Sequence, residues 1–170
     1  NKTLYLHEKV ACINLENAVI NKECKGIIAI LGYACDEGVK RNQGRIGAAH
    51  GPNALRKQLA KMPNHLPSDV SLLDVGTIQC LQADLENTQR FLATTVTQLL
   101  KKKAFPVLLG GGHDIAYGHY NGIKNFVAKE KSIGIINFDA HFDLRNNNNG
   151  NNSGTPFYQI AQDCKQNGSN

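Results

Sequence analysis

The chain has 170 residues, of which 41% are hydrophobic and 19% charged, and its formal net charge is +5. This is enough for one domain with its own core, and no apolar run approaches the roughly 20 residues that span a bilayer. The positive charge is scattered except for residues 101–103, where lysines at a predicted helix end suit the helix dipole. We therefore expect neither a nucleic-acid partner nor a membrane partner.

The cysteines indicate a reducing compartment. Five of them, at positions 12, 24, 35, 80 and 164, are widely spaced and include no Cys-x-x-Cys pair. This usage is typical of reduced thiols and not of a disulfide framework or a zinc ribbon. The chain also begins without a basic-then-apolar leader, so we expect a cytoplasmic protein.

The first half of the chain predicts one strong strand and a long loop. Residues 1–25 show no clean period and predict irregular structure with at most a short helix. A strand is predicted at 26–31, and the glycine-rich loop 32–52 is expected to overhang a ligand crevice at the carboxyl end of that strand. Pro52 predicts the start of a helix that runs to residue 60, and 70–75 predicts a short strand.

Helices and strands alternate in the second half. We predict a helix at 82–103, a strand at 105–109, a helix at 115–128, a strand at 133–138 and a helix at 157–164. The alternation indicates an α/β fold with a parallel sheet. The nearly continuous apolar run at 133–138 is typical of a strand buried on both faces. Six of the seven residues from 146 to 152 are Asn, which predicts a surface loop.

Side chains that bind metals follow two of the predicted strands. Asp139, His141 and Asp143 alternate after the strand at 133–138, and an extended backbone would point all three to one side. His113 follows the glycines at 110–112, which would let the backbone turn tightly beside the site. Two carboxylates and two imidazoles favour Mn²⁺ or a similar divalent ion over a thiolate-type zinc site.

Other interpretations of these residues remain open. An Asp after a strand can cap the next helix, and a lone His is often an ordinary polar residue. Burying two carboxylates this close together without a cation would cost several kcal/mol, which favours a metal site. The glycine run lacks the residues of a phosphate-binding loop, and Asp114 is expected either to cap a helix or to support His113.

Four segments resemble the ureohydrolases, the family of arginase, agmatinase and formimidoylglutamase. They are 47–56 (GAAHGPNALR), 110–114 (GGGHD), 139–143 (DAHFD) and 153–157 (SGTPF), and the resemblance covers most of the chain from residue 26. It implies a three-layer α/β/α fold around a central parallel sheet, and two Mn²⁺ ions. His113 and Asp143 would bind one ion, His141 the other, and Asp139 both, with Asp139, His141 and Asp143 forming the catalytic centre.

Within the family, the details are most similar to formimidoylglutamase. Arg145 stands where arginases carry Asn, Ser153 stands where arginases and agmatinases carry His, and segment 34–42 is also similar. The resemblance implies that the small-molecule substrate is N-formimidoyl-L-glutamate, with Arg145, Ser153 and Asn152 in its binding site. The alternatives are an agmatinase or guanidinobutyrase that releases urea, and a non-catalytic member of the family.

One family motif is missing from the chain. Nothing after Asp143 matches the Ser-x-Asp-x-Asp-x-x-Asp-Pro segment that supplies further metal-binding carboxylates in the family. We therefore expect residues 1–170 to form a single arginase-like domain that is incomplete at its C-terminus, binds Mn²⁺ weakly and hydrolyses nothing by itself. The complete enzyme would form homo-oligomers, as family members commonly do.

Overall fold

The computed structural model describes residues 4–15, 26–128 and 131–166. In this part of the chain, one parallel sheet has the strand order β1-β3-β2-β4. Its strands are β1 (Ala11–Cys12), β2 (Gly26–Ala34), β3 (Val70–Gln79) and β4 (Ala104–Leu109). The helices are α1 (Leu6–Lys9), α2 (Glu37–Arg41), α3 (Gly51–Leu59), α4 (Leu85–Lys101), α5 (Ile115–Lys124) and α6 (Pro156–Gln166), with a 3-10 turn at Ala48–His50. None of the helices described is both long and apolar enough to cross a membrane.

The side chains of β2 alternate between two helical layers. One face carries Tyr33 and its neighbours at every second residue, and it packs against buried side chains of α4, among them Leu85, Leu92, Val96 and Leu99. The other face carries Ile30, which packs with residues of α1 and α3 such as Leu6 and Leu59. A strand that alternates in this way must have helices on both faces. The predicted three-layer α/β/α arrangement is therefore confirmed.

Several elements are longer or shorter than the sequence pattern indicated. β2 reaches Ala34, and the predicted loop 32–52 contains α2 and the 3-10 turn. β3 continues to Gln79 through an irregular register beside Gly76, whose φ is +93°. Arg56 holds this bulge, because its Nη2 donates to the Gly76 carbonyl over 2.7 Å.

Helix α5 ends at Lys124, before the predicted residue 128. Of segment 1–25, residues 1–3 and 16–25 lie outside the described part, and residues 4–15 hold α1 and β1.

The predicted strand at 133–138 is wrong. The structure assigns no strand to these residues, and all of them except the partly buried Ile133 are exposed, with Ile136 at 84% and Phe138 at 97%. Strand formation requires a neighbour that pairs with the backbone, and the described chain places none beside this segment. The apolar sequence is typical of a buried strand, but burial depends on contacts that local sequence does not specify.

Two glycines allow α4 and α5 to pack closely. A Cβ at Gly122 would lie 2.6 Å from the Cβ of Val96 and 2.9 Å from the carbonyl oxygen of Ala93. A Cβ at Gly118 would similarly lie 2.9 Å from Leu92 Cδ2. Real Cβ atoms do not approach other atoms this closely, so the two helices can keep this separation only with glycine at these positions.

Helix α2 is fastened to the N-terminal end of α4 by Arg41. Its guanidinium contacts Glu37 at 3.1 Å and Glu86 at 2.7 Å, and Nη1 also donates to the carbonyl of Asn151 at 3.3 Å. The hydrogen bonds from Arg41 hold the pKa of Glu86 below its usual range. This one side chain thereby joins α2, α4 and the asparagine-rich loop.

We expect Gly122→Ala to lower the free energy of unfolding by about 1–3 kcal/mol, because overpacking against Val96 outweighs the ~1 kcal/mol that alanine gains in helix propensity. Urea unfolding measures the difference. Gly134→Ala is the control, since a Cβ there meets nothing within 4 Å, and its effect should stay within about 0.5 kcal/mol. An unchanged midpoint for Gly122→Ala would show that the helices can separate without cost.

We expect Glu86→Gln to destabilise the fold near neutral pH by about 0.5–1 kcal/mol, since the pair with Arg41 is partly solvated. The folded pKa of Glu86 is lowered from 4.5. The stabilisation is therefore present above the unfolded pKa and is lost as the pH falls through the lower folded value. Urea midpoints at about pH 7 and about pH 4 should show the difference between variant and wild type narrowing in acid. In an Arg41→Met background the substitution should have little effect at either pH, and an equal effect there would contradict the pairing.

Candidate metal centre

The glycine turn after β4 is anchored to the end of β2. The backbone N–H of Gly112 donates to the carbonyl of Cys35 over 2.8 Å. A Cβ at Gly111 would overlap that same carbonyl oxygen, so the backbone approaches β2 as closely as glycine permits. This contact fixes the position from which His113 leaves the sheet edge.

Asp114 is the buried anchor of this turn. Its side chain is fully buried, Oδ2 accepts a hydrogen bond from the Tyr33 hydroxyl at 2.8 Å, and its carbonyl accepts one from Gln89 Nε2 at 2.9 Å. Among the described residues, Oδ1 has no hydrogen-bond partner, and a Cβ at Gly38 or Gly112 would overlap it. Burial raises the pKa of this carboxyl to about 6.

Cys35 lies beside this anchor and is not a reactive thiol. It is fully buried, and burial raises the pKa of its thiol to about 12. A thiol that stays protonated is a poor nucleophile and a poor metal ligand.

His113, Asp139 and Asp143 converge into one group. One ligand atom from each lies within 4.8 Å of the others. His113 Nδ1 is 3.3 Å from Asp139 Oδ2 and directly contacts Asp143 Oδ2. The ring of Phe157 stands edge-on to the His113 ring, with centroids 5.6 Å apart. One nitrogen and two carboxylate oxygens form a donor set suited to a divalent cation of the Mn²⁺ type.

His141 is not part of this group. Its side chain is 78% exposed, and its backbone N–H donates to Asp139 Oδ1 over 2.8 Å. That hydrogen bond is the main reason that the pKa of Asp139 lies below its usual range. The three alternating residues do not lie in an extended strand, because the chain bends at 139–141 and Asp143 has a φ of +47°. His141 Nδ1 is nevertheless only 3.5 Å from Asp139 Oδ1.

Arg145 is joined to α2 through Asn42. Its Nη1 donates to Asn42 Oδ1 over 3.0 Å, and Asn42 Nδ2 donates to Ser153 Oγ over 3.1 Å. The backbone N–H of Ser153 donates in turn to the Gly38 carbonyl over 3.0 Å. A cavity of about 360 Å³ is lined by Asn42 and residues 141–145. The sequence predicted Arg145 and Ser153 as substrate-binding residues. In the structure both contact Asn42, and Arg145 lines the cavity.

Asn152 shapes the loop that carries Ser153. Its Oδ1 accepts from the Gly154 N–H at 2.9 Å, and its own N–H donates to Thr155 Oγ1 at 3.0 Å. Its carboxamide oxygen is thus engaged in the turn. The expectation that Asn152 contacts a substrate stays a prediction.

Sequence reasoning missed three residues that organise the centre. Tyr33 and Gln89 hold Asp114, and Asn42 joins Arg145 to Ser153. Each contact joins residues far apart in the chain, and none of the three residues belongs to a local pattern of metal ligands. The resemblance in segment 34–42 was the one signal that pointed near Asn42.

Comparisons with known proteins find relatives along nearly the whole chain. A model of the arginase family matches residues 27–170. A formimidoylglutamase from Geobacillus sp. (strain WCH70) is 45% identical over 162 residues, which is 95% of this chain and 49% of its own length. One from Chromobacterium violaceum is 50% identical over 141 residues, which is 83% of this chain and 44% of its own length.

A solved structure shows the same fold. Trypanosoma cruzi formiminoglutamase with Mn²⁺ has a TM-score of 0.72 at 32% identity, covering 86% of this chain and 50% of that one. The chain spans about half the length of the curated relatives it matches. Because the family model covers nearly the whole sequence, from residue 27 to residue 170, the chain belongs to the arginase family.

Proposed function

We propose that this chain carries part of the active site of a Mn²⁺-dependent formimidoylglutamase. Such an enzyme converts N-formimidoyl-L-glutamate and water into L-glutamate and formamide, in the cytoplasmic breakdown of histidine. The observation that carries the proposal is the convergence of His113, Asp139 and Asp143 beside a cavity to which Arg145 contributes. The similarity to proteins named formimidoylglutamase supports the same substrate.

The donor set fits the metal. His113 would supply a nitrogen ligand, and Asp139 and Asp143 would supply oxygens, a combination that suits Mn²⁺ better than thiolate-binding metals. Bound there, Mn²⁺ would supply Lewis-acid activation of water at neutral pH. Asp114 supports this group indirectly, because its hydrogen bonds with Tyr33 and Gln89 hold the turn that presents His113.

Two Mn²⁺ ions need more ligands than this group of three. His141 stands next to Asp139 and offers one further nitrogen. Each divalent ion of this kind takes about four to six ligands, so a pair of ions requires ligands beyond these four residues. We therefore assign the activity to the protein encoded by the complete reading frame, in which homo-oligomers are expected.

The residues beside the cavity favour an anionic substrate. Formimidoylglutamate carries two carboxylates, and the planar fork of Arg145 can bind one of them through two parallel hydrogen bonds. Ser153 lies close by, since its hydroxyl accepts a hydrogen bond from Asn42, which lines the cavity. Agmatine has no carboxylate for Arg145 to bind.

The decisive experiment offers three substrates to the protein expressed from its complete open reading frame and loaded with Mn²⁺. Formimidoylglutamate, agmatine and arginine are incubated in parallel, and formamide and urea are measured separately. We expect formamide from the first substrate alone, and a loss of at least about 100-fold in kcat for Asp143→Asn, as expected when a metal ligand is lost.

Metal content must be measured on the same samples. Urea from agmatine would contradict the proposed substrate while keeping the metal chemistry. No product from any of the three, with Mn²⁺ bound, would favour a non-catalytic family member. Removal of the metal by a chelator should abolish activity, and added Mn²⁺ should restore it.

We expect Arg145→Ala to raise KM for formimidoylglutamate by about ten- to 100-fold, because a bidentate charge-assisted contact is lost. Arg145→Lys should recover only part of this loss, since a lysine cannot form the two parallel hydrogen bonds. Steady-state kinetics of both variants make the measurement.

Arg90→Ala serves as the control, since Arg90 is an exposed residue on α4 away from the cavity. Its KM should match that of the wild type. A KM within twofold of wild type for Arg145→Ala would remove Arg145 from the substrate site.

A further inference from the structure

Asn42 occupies a fixed point between α2 and the loop that follows the metal ligands. It is the residue after the last turn of α2, and its N–H donates to the Gly38 carbonyl over 3.1 Å. Helix α2 is itself held to α4 by the ion pair of Arg41 with Glu86. The side chain of Asn42 therefore projects from an anchored element.

The carboxamide of Asn42 has its orientation set by its two partners. A guanidinium has only donors, so Arg145 must face Oδ1, which accepts from Nη1 at 3.0 Å. The amino group then faces Ser153 and donates to Oγ at 3.1 Å. Among the described residues, this bond to Asn42 is the one side-chain hydrogen bond that the structure gives Arg145.

Gly154 makes room for this contact. A Cβ there would lie 3.2 Å from Arg145 Cδ and 3.3 Å from Asn42 Nδ2. Such distances are tighter than ordinary van der Waals contact, so a side chain would push on both residues at once. Because Gly154 has no side chain, Arg145 and Asn42 can approach each other beside it.

The chemistry of the partner distinguishes Arg145 from two other arginines of the chain. Arg41 contacts two carboxylates, and Arg56 forms a two-pronged contact with Asp74 at 2.7 and 2.8 Å. In the described part of the chain, no carboxylate lies within ion-pair distance of Arg145, whose partner is a neutral amide. The positive charge of Arg145 is therefore held in place without being neutralised, and its remaining N–H groups stay available.

We propose that Asn42 is a positioning residue: its neutral carboxamide orients the Arg145 guanidinium toward a carboxylate of an anionic substrate while leaving the charge free. This inference rests on the proposed function, since it concerns the same substrate site. It assigns to Asn42 the selection of carboxylate-bearing substrates over neutral ones. Asn42 itself need not touch the substrate.

The test uses Asn42→Asp and Asn42→Ala in the Mn²⁺-loaded protein from the complete reading frame. Aspartate has the same shape as asparagine and can accept from both Arg145 and the Ser153 hydroxyl, but it neutralises the guanidinium. We expect Asn42→Asp to raise KM for formimidoylglutamate by about tenfold or more, with kcat within about twofold. For the monoamide analogue that lacks the carboxylate bound by Arg145, either N-formimidoylglutamine or its isoglutamine isomer, KM should stay unchanged.

Asn42→Ala tests the coupling to Arg145 directly. We expect it to raise KM by about three- to tenfold in the wild-type background and to have little effect once Arg145 is already alanine, as for two residues that act as a unit. Asn148→Asp is the matched control, because it adds the same charge at an exposed asparagine of the nearby loop. A structural role would instead lower kcat and would affect the dianionic and monoamide substrates equally.

The outcomes separate the two proposals. If the wild-type protein releases formamide but Asn42→Asp leaves KM within twofold, the role of Asn42 is overturned and the proposed function stands. If Asn42→Ala has the same effect with and without Arg145, the coupling is also overturned. If the wild-type protein with bound Mn²⁺ releases no formamide from formimidoylglutamate, the proposed function fails, and the assignment of Asn42 fails with it.

Discussion

The candidate centre depends on one buried carboxylate, that of Asp114. It receives the Tyr33 hydroxyl from β2, its backbone carbonyl receives Gln89 from α4, and Gly38 of α2 leaves it the space it occupies. Three elements distant in sequence therefore meet at the residue next to His113. Burial raises the pKa of this carboxyl, and the hydrogen bonds made by Asp114 hold the turn that presents His113.

The ligands of the group lie on segments that are packed to different degrees. His113 leaves a turn hydrogen-bonded to the sheet, whereas Asp139 belongs to a segment whose neighbour Phe138 is 97% exposed. Packing fixes the imidazole, while local hydrogen bonds and His113 itself hold the carboxylates. A cation bound by all three would tie the exposed segment to the sheet edge and stabilise the fold by mass action.

Much of the fold could be predicted from sequence because its signals are local. The apolar run of β2, the leucines of α4 and Pro52 at the start of α3 each describe their own element, and the parallel α/β sheet follows from their alternation. The bulge at Gly76 and the helix α2 were missed because both depend on distant contacts, from Arg56 and Arg41 respectively. Residue types identified the candidate metal ligands His113, Asp139 and Asp143, but their arrangement could not be derived from a period of two.

The geometry of the centre gives a different reason to expect a cation there. From sequence, two close carboxylates at the end of a doubly buried strand favoured a bound cation, because burying them uncompensated would cost several kcal/mol. In the structure, the side chains of Asp139 and Asp143 remain 28% and 15% exposed, so water offsets part of that cost. The case for the metal now rests on convergence instead: a nitrogen and two carboxylate oxygens from separate segments meet within 4.8 Å. Convergence of donors is the more specific of the two arguments, since burial alone could equally be met by protonating one carboxylate.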